Sequence, residues 1–300
     1  MRFPESGRLA LAACLLIVIL SWGLNYPLMK LALRDISPLA FAATRILGGA
    51  LFLAVIIRVA TPSQLLPPRD ERWTLAWIGI LQYSAVLGST GFALLWLPAG
   101  RTVTIVYTMP VWAALFDFLF LRGRLKPLQI AGIMVSCVGI LLFMDPGVLD
   151  WSVNETRLGM GLAVFAAICW GLGAVIYTSR KWESSLMSQA FWQLLVAGLV
   201  LSVLVACAEW PLRVAYSPTL ITILVWNWVV PVSLSVWAWG KVLQRIPASI
   251  AGQALLCTPF VGIALSAWIF GETLPAIFAV SALLIVVGAG LVLFKPKQAS

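Results

Sequence analysis

The 300-residue sequence contains no histidine, which leaves neither a histidine triad nor the usual zinc-ligand set as a reading. Acids are scarce as well, 11 in all, and Asp70-Glu71 is the only acidic cluster. An enzyme would need a nucleophile, a base or metal ligands to converge, and the chain offers no such set. Its five cysteines, Cys14, Cys137, Cys169, Cys207 and Cys257, show no CxxC spacing and sit inside apolar runs, so they read as small hydrophobes. No GxxxxGK[ST] loop is present, so ATP drive is not encoded here, and no cofactor is expected. Charged residues make up 10% of the chain, against roughly a quarter in a soluble domain, while hydrophobic types make up 62%. So little charge cannot cover a soluble fold of this size, and so apolar a chain is not disordered. The net charge of +9 falls between apolar runs and forms no basic stripe, so nucleic acid is not the partner. The solvent of this protein is largely lipid.

What is there is a series of long apolar runs. A membrane-spanning helix needs about 20 such residues, and reading between charges gives ten: Leu9–Met29, Ile36–Ile57, Trp73–Gly100, Thr102–Leu121, Pro127–Met144, Leu158–Ser179, Ser184–Ala208, Val214–Gly240, Ile246–Gly271 and Thr273–Phe294. The runs are continuous and not alternating, which argues against a β-barrel. The stretches Arg58–Arg72 and Asp145–Arg157 read as loops. With the N-terminus in the cytoplasm, 14 Lys and Arg fall on the cytoplasmic side, and Lys30, Arg34, Arg101, Arg157 and Arg213 fall on the other. This bias places both termini inside, as an even number of spans requires.

The chain also repeats itself. At a spacing of 149, Leu97-Pro98-Ala99 matches Ile246-Pro247-Ala248, Pro110 matches Pro259, and Gly139 matches Gly288; at 148, Trp22-Gly23 matches Trp170-Gly171. The expected fold is all-α and polytopic: ten transmembrane helices in two five-helix repeats, residues 1–149 and 150–300. Five being odd, the second repeat enters the membrane from the opposite side. An inverted pair of this kind suits alternating access around a central site. Pro110 and Pro259, with Pro27 and Pro231, are candidate hinges or kinks.

Polar residues within spans need a reason. Arg45 sits halfway down span 2, where a charge costs several kcal/mol. It either attracts an anionic group, controls a gate, or is locked structurally to carbonyls or an acid. Asp117 is the one acid well inside a span and is a candidate for proton coupling; the alternative is a cytoplasmic cap pairing with Arg122 or Arg124. Trp22, Tyr26 and Lys30 share one face of span 1, with Asn25 beside it. Tyr83, Gln82, Trp96 and Tyr107 bring similar chemistry from spans 3 and 4. Trp170, Gln193, Trp226, Asn227, Trp237, Trp239 and Gln253 bring it from the second half. Together these are the candidate substrate cavity or gate.

At several of these positions the sequence resembles the EamA family of the drug/metabolite transporter superfamily, over roughly residues 9 to 294. The resemblance rests on Trp22-Gly23-Leu24-Asn25 with Lys30, on Pro38 and Arg45, on Leu97-Pro98-Ala99 through Pro110, on Cys257-Thr258-Pro259, on Phe270-Gly271-Glu272-Thr273-Leu274 and on Gly288. The first half departs from it at Arg122-Gly123, which stand where the second half has Gly271-Glu272. The resemblance implies a cavity at the repeat interface and a secondary transporter in a bacterial cytoplasmic membrane. It implies export of small organic metabolites, amino acids included, and makes Glu272 a structural helix-end residue. A facilitator or uptake carrier, and a non-transport scaffold, are the alternatives. Monomer and homodimer both remain open.

Overall fold

A computed structural model describes residues 5–60, 65–121, 127–144, 152–212, 214–246 and 248–271, with isolated positions between 277 and 291. Its helices are α1 (Glu5–Ala32), α2 (Pro38–Ala60), α3 (Arg69–Gly79), α4 (Val86–Trp96), α5 (Ala99–Val106), α6 (Met109–Leu121) and α7 (Pro127–Met144), followed by α8 (Asn154–Thr178), α9 (Leu186–Ala208), α10 (Pro218–Asn227), α11 (Ser235–Leu243), α12 (Ala248–Leu255) and α13 (Thr258–Phe270). A π turn, Ile80–Ala85, joins α3 to α4, and another, Trp228–Leu234, joins α10 to α11. The one β feature among the described residues is an isolated bridge between Ile36 and Val214.

Counted through their breaks, seven helical stretches are long and apolar enough to cross a membrane: Leu9–Ala32, Pro38–Val59, Arg69–Trp96, Ala99–Phe120, Asn154–Thr178, Leu186–Ala208 and Pro218–Leu243. The shorter apolar helices Ile130–Leu142 and Thr258–Phe270 fall in the expected fifth and ninth spans. Most of the expected tenth lies outside the described residues. Leu16, Phe120 and Trp268 are 57%, 64% and 82% exposed. Such residues would form large apolar patches in water, but they match acyl chains. The protein is therefore an all-helical, multi-pass membrane protein.

Local chemistry sets the helix ends. Ser185 Oγ accepts from the Ser188 amide at 3.2 Å and starts α9; Ser217 Oγ accepts from the Leu220 amide at 3.0 Å, with Pro218 opening α10. Gly271, at φ 65°, closes α13 in the left-handed region. The start of α2 is capped from far away. Glu209 accepts from the Leu39 and Ala40 amides at 2.9 Å each and from Ser37 Oγ at 2.5 Å. At the opposite end of the bundle, buried Glu71 accepts from the Glu183 amide at 2.6 Å and from the Ser184 hydroxyl, just before α9. Each carboxylate thus ties one half of the chain to the other.

The breaks follow a rule. The two π turns begin 148 residues apart, and the interruptions at Tyr107-Thr108 and Leu256-Cys257 are 149 apart. Pro110 and Pro259 each stand at the start of the half-helix that follows the interruption. There a missing N–H costs least. Pro27, by contrast, lies inside an uninterrupted α1. α2 packs along α9, α1 packs against α11 and α13, and α8 packs against α4 and α6. A shift of 148–149 residues converts the α1 contacts into the α8 contacts. Two glycines allow this closeness. A Cβ on Gly23 would lie 3.0 Å from the Thr258 carbonyl oxygen and 2.7 Å from Val261 Cβ; one on Gly171 would lie 3.0 Å from the Met109 carbonyl oxygen and 2.9 Å from Trp112 Cβ.

Candidate functional site

A π turn holds one extra residue per turn, so it loosens the carbonyl ladder and rotates the following side chains. Here serines take up the loosened carbonyls. Ser233 Oγ donates to the Trp228 carbonyl at 2.5 Å and lies 3.2 Å from that of Gly49, while Ser235 Oγ donates to Val230 at 2.9 Å. Ser84 Oγ, in the first π turn, donates to the Ala197 carbonyl at 3.0 Å. The positions again match at 148–149: Ser84 with Ser233, and Gly49 with Ala197. Both π turns are thereby fixed to the facing long helix, α9 or α2.

Between them opens a cavity lined from both halves of the chain. Both π turns contribute to its wall, through Tyr83 and Pro231, as does the α5–α6 interruption, through Tyr107 and Met109. Trp22, Asn25, Tyr26, Arg45 and Trp170 complete its chemistry. The two repeated tryptophans meet here. The Trp22 and Trp170 rings are 5.2 Å apart, edge to face, and Trp22 Nε1 donates to the Pro231 carbonyl at 3.1 Å. Tyr83 stands 6.2 Å from Trp170, and Tyr26 6.2 Å from Tyr107.

Arg45 is 5% exposed. With the Asn25 amide turned so that its oxygen faces the guanidinium, that oxygen accepts from Arg45 Nη1 and Nη2 at 3.1 and 3.2 Å. The Asn25 nitrogen then donates to Asn227 Oδ1 at 2.9 Å, and Asn227 Nδ2 donates to the Ile223 carbonyl at 2.8 Å. The Phe41 ring lies 5.6 Å from the guanidinium carbon, and Arg45 Nε has no hydrogen-bond partner. Among the described residues no carboxylate pairs with this cation.

A second, smaller cavity lies towards the end of the bundle where α8 meets α9. It is lined by Gln82, Tyr83, Tyr177, Gln189, Gln193 and Trp239, among others. Tyr83 and Val236 line both cavities and form the wall between them.

The sequence-derived candidates therefore divide. Trp22, Asn25, Tyr26, Arg45, Tyr83, Tyr107 and Trp170 converge on the first cavity, with Asn227 bonded behind it. Gln82, Gln193 and Trp239 line the second. Lys30, Trp96, Trp226, Trp237 and Asp117 line neither. Lys30 lies 5.4 Å from the Phe270 ring, Trp96 stacks on Phe92, and Lys241 covers Trp237 at 5.7 Å. Asp117 is half-buried on α6. The Gln253 side chain and all of Glu272 lie outside the described residues. The wall also holds residues with no polar signal in the sequence, Met29, Ile46, Val86 and Val232, and one hydroxyl, Thr90. Only their distance along a helix from Tyr26, Arg45, Tyr83 and Pro231 could have pointed to them.

A multi-pass bundle with broken helices around an aromatic, singly charged cavity has the build of a membrane transporter. The chain belongs to the EamA-like transporter family, whose sequence profile matches it twice, at residues 10–144 and 157–294. It is 27% identical over 290 residues, 91% of each chain, to a protein of Salmonella typhimurium named a probable amino-acid metabolite efflux pump. It is 24% identical over 253 residues, 82% of this chain and 84% of the other, to the uncharacterized transporter YoaV of Bacillus subtilis. A protein of known crystal structure shares the fold with a TM-score of 0.70, at 18% identity, over 94% of this chain and 96% of that one. The chain is accordingly a multi-pass protein of the cell membrane.

Proposed function

We propose that this protein is a secondary transporter that exports small organic metabolites, such as amino acids or related compounds, across the cytoplasmic membrane by alternating access. In this reading residues 1–149 and 150–300 are inverted five-helix repeats, ten spans in all, with both termini cytoplasmic. The observation that carries it is the meeting of Trp22 and Trp170, 148 residues apart in sequence, at one cavity wall between two π turns with the same spacing. The family profile's double match and the efflux names of relatives support the same reading. Solute enters the first cavity from one side of the membrane. The wall formed by Tyr83 and Val236 separates it from the second. Exchange of conformation between the halves moves that wall to the other side of the solute. The loose carbonyl ladders of the π turns and the interruptions before Pro110 and Pro259 are the places where such bending costs least.

The test is counterflow in proteoliposomes. Vesicles loaded with unlabelled solute should accumulate labelled solute transiently and saturably. Non-saturating flux without trans-stimulation would replace the carrier with a facilitator. A change of flux with imposed pH gradient that is lost in Asp117→Asn would support proton coupling through Asp117; a flat response would sink it.

A further inference from the structure

We infer that the first cavity is built for a monoanionic carboxylate on an apolar or aromatic body, anchored at Arg45, and that it disfavours zwitterionic and cationic relatives of the same size. This inference rests on reading that cavity as the solute site. Among the described residues Arg45 is the only charged one in the cavity wall, and no acid neutralises it. Its two Nη groups share a single neutral amide oxygen, and Nε is buried without a partner. A guanidinium held in this way retains donor capacity for a carboxylate, the anion whose two oxygens match its fork. The relay from Asn227 through Asn25 fixes the fork's orientation before any solute arrives. Thr90 Oγ1, also buried and unpartnered, lines the same wall and offers a further hydrogen bond. Trp22, Tyr26, Tyr107 and Trp170 supply flat apolar walls for a ring or hydrocarbon body.

What the wall lacks decides the selectivity. Among the described residues no Asp or Glu lines it, so the ammonium of an amino acid would meet no counter-ion there and would sit near a buried cation. The acids nearest in sequence to the cavity helices are engaged elsewhere: Asp35 with Ser217, Glu209 with the start of α2, and Asp117 on α6 outside the cavity. The position 148 residues after Arg45 is Gln193, so the second half does not repeat the charge.

Three probes share a phenylethyl body and differ in the charged groups they carry: 3-phenylpropionate, phenylalanine and phenethylamine. Their binding to the full chain in nanodiscs at pH 7 is measured by calorimetry, and their flux in proteoliposomes is compared with protein-free vesicles. We expect 3-phenylpropionate to bind about ten-fold or more tighter than phenylalanine, and phenethylamine not to bind saturably. Arg45→Gln should abolish the preference, and Arg45→Lys should keep its order with weaker binding. Phenylalanine or phenethylamine binding as well as the acid would overturn the inference. So would an unchanged ranking in a folded Arg45→Gln protein, or no binding of 3-phenylpropionate. Tight binding of the acid without flux above empty vesicles would leave the inference standing and sink the carrier reading. Saturable flux of phenylalanine in preference to the acid would do the reverse.

Discussion

Replacing Arg45 with glutamine should leave the thermal stability of the ligand-free protein nearly unchanged. An arginine at the centre of a membrane helix costs about 2.5–3.5 kcal/mol on insertion scales. Against this stand its shared bond to the Asn25 oxygen and its contact with the Phe41 ring. A hydrogen bond to a charged group contributes about 1.5–3 kcal/mol, against about 1 for a neutral one. The ring contact adds about 0.5–2 kcal/mol. Glutamine keeps one amide N–H for the Asn25 oxygen, so the substitution loses only the charged premium and the ring contact, about 2 kcal/mol together. It relieves about 3 kcal/mol of desolvation, less the roughly 1–2 that burying the amide itself costs, so gain and loss cancel to within about 1 kcal/mol. In a chain of this size that corresponds to a shift of no more than roughly 2–4 °C in Tm. Intrinsic tryptophan fluorescence in nanodiscs, without added solute, measures it. If Arg45 were instead one member of a buried structural pair, its loss would cost about 3–5 kcal/mol and lower Tm by roughly 6–20 °C. The two accounts differ in size, and a fall of more than about 6 °C would refute the placement of Arg45 as an unpaired cation held ready for solute.

Three further predictions concern the frame. Gly171→Ala puts a Cβ 2.8 Å from the Ala113 amide nitrogen and 3.0 Å from the Met109 carbonyl oxygen, so α6 and α8 must separate. We expect a loss of about 1–3 kcal/mol, read from thermal unfolding. Glu209→Ala removes the acceptor of the Leu39 and Ala40 amides. It should cost about 1–2 kcal/mol and speed amide exchange at residues 39–41 while leaving α9 protected. Tyr83→Ala opens the wall between the two cavities. In a background without the five native cysteines, Gln193→Cys should then react with an impermeant thiol reagent supplied from the first cavity's side. With Tyr83 in place it should not.

The devices of the fold were legible to different degrees. Apolar run length gives seven of the expected spans, because the bilayer sets it. The spacing of 148–149 marks Trp22-Gly23 and Trp170-Gly171, and both pairs turn out to place a ring at the cavity and a glycine against a neighbouring half-helix. The prolines mark the interrupted spans, but the interruption itself falls before Pro110 and Pro259, because a proline is best accommodated in a first helical turn. The π turns have no such mark in the first half, since Ile80–Ala85 contains neither proline nor glycine; only packing against α8 and α9 shows where the ladder slips. The roles of Glu71 and Glu209 were hidden for the same reason. Each finds its amides more than 100 residues away. Lys30, Trp96 and Trp237 have the right chemistry for the cavity but point elsewhere, because helical spacing orders faces without saying which face is inward.

Backbone and chemistry part company along the 148-residue spacing, and that difference bears on direction. Glycines, serine-to-carbonyl bonds, π turns and interruptions recur in both halves, so the frame has two similar ways to bend. The polar group does not recur. Where the first half has Asn25 and Arg45, the second has Gly173 and Gln193, and where the second has Asn227 the first has Gly79. A solute carboxylate drawn to Arg45 would therefore face a cation from one cavity and, among the described residues, only neutral groups from the other. A carrier with this asymmetry holds its solute more tightly in one orientation than in the other. Alternating access itself is indifferent to direction. The two half-saturation constants, measured on either side of oriented vesicles, should differ in the wild type and converge in Arg45→Gln; equal constants in the wild type would show that the asymmetry of charge has no consequence for transport.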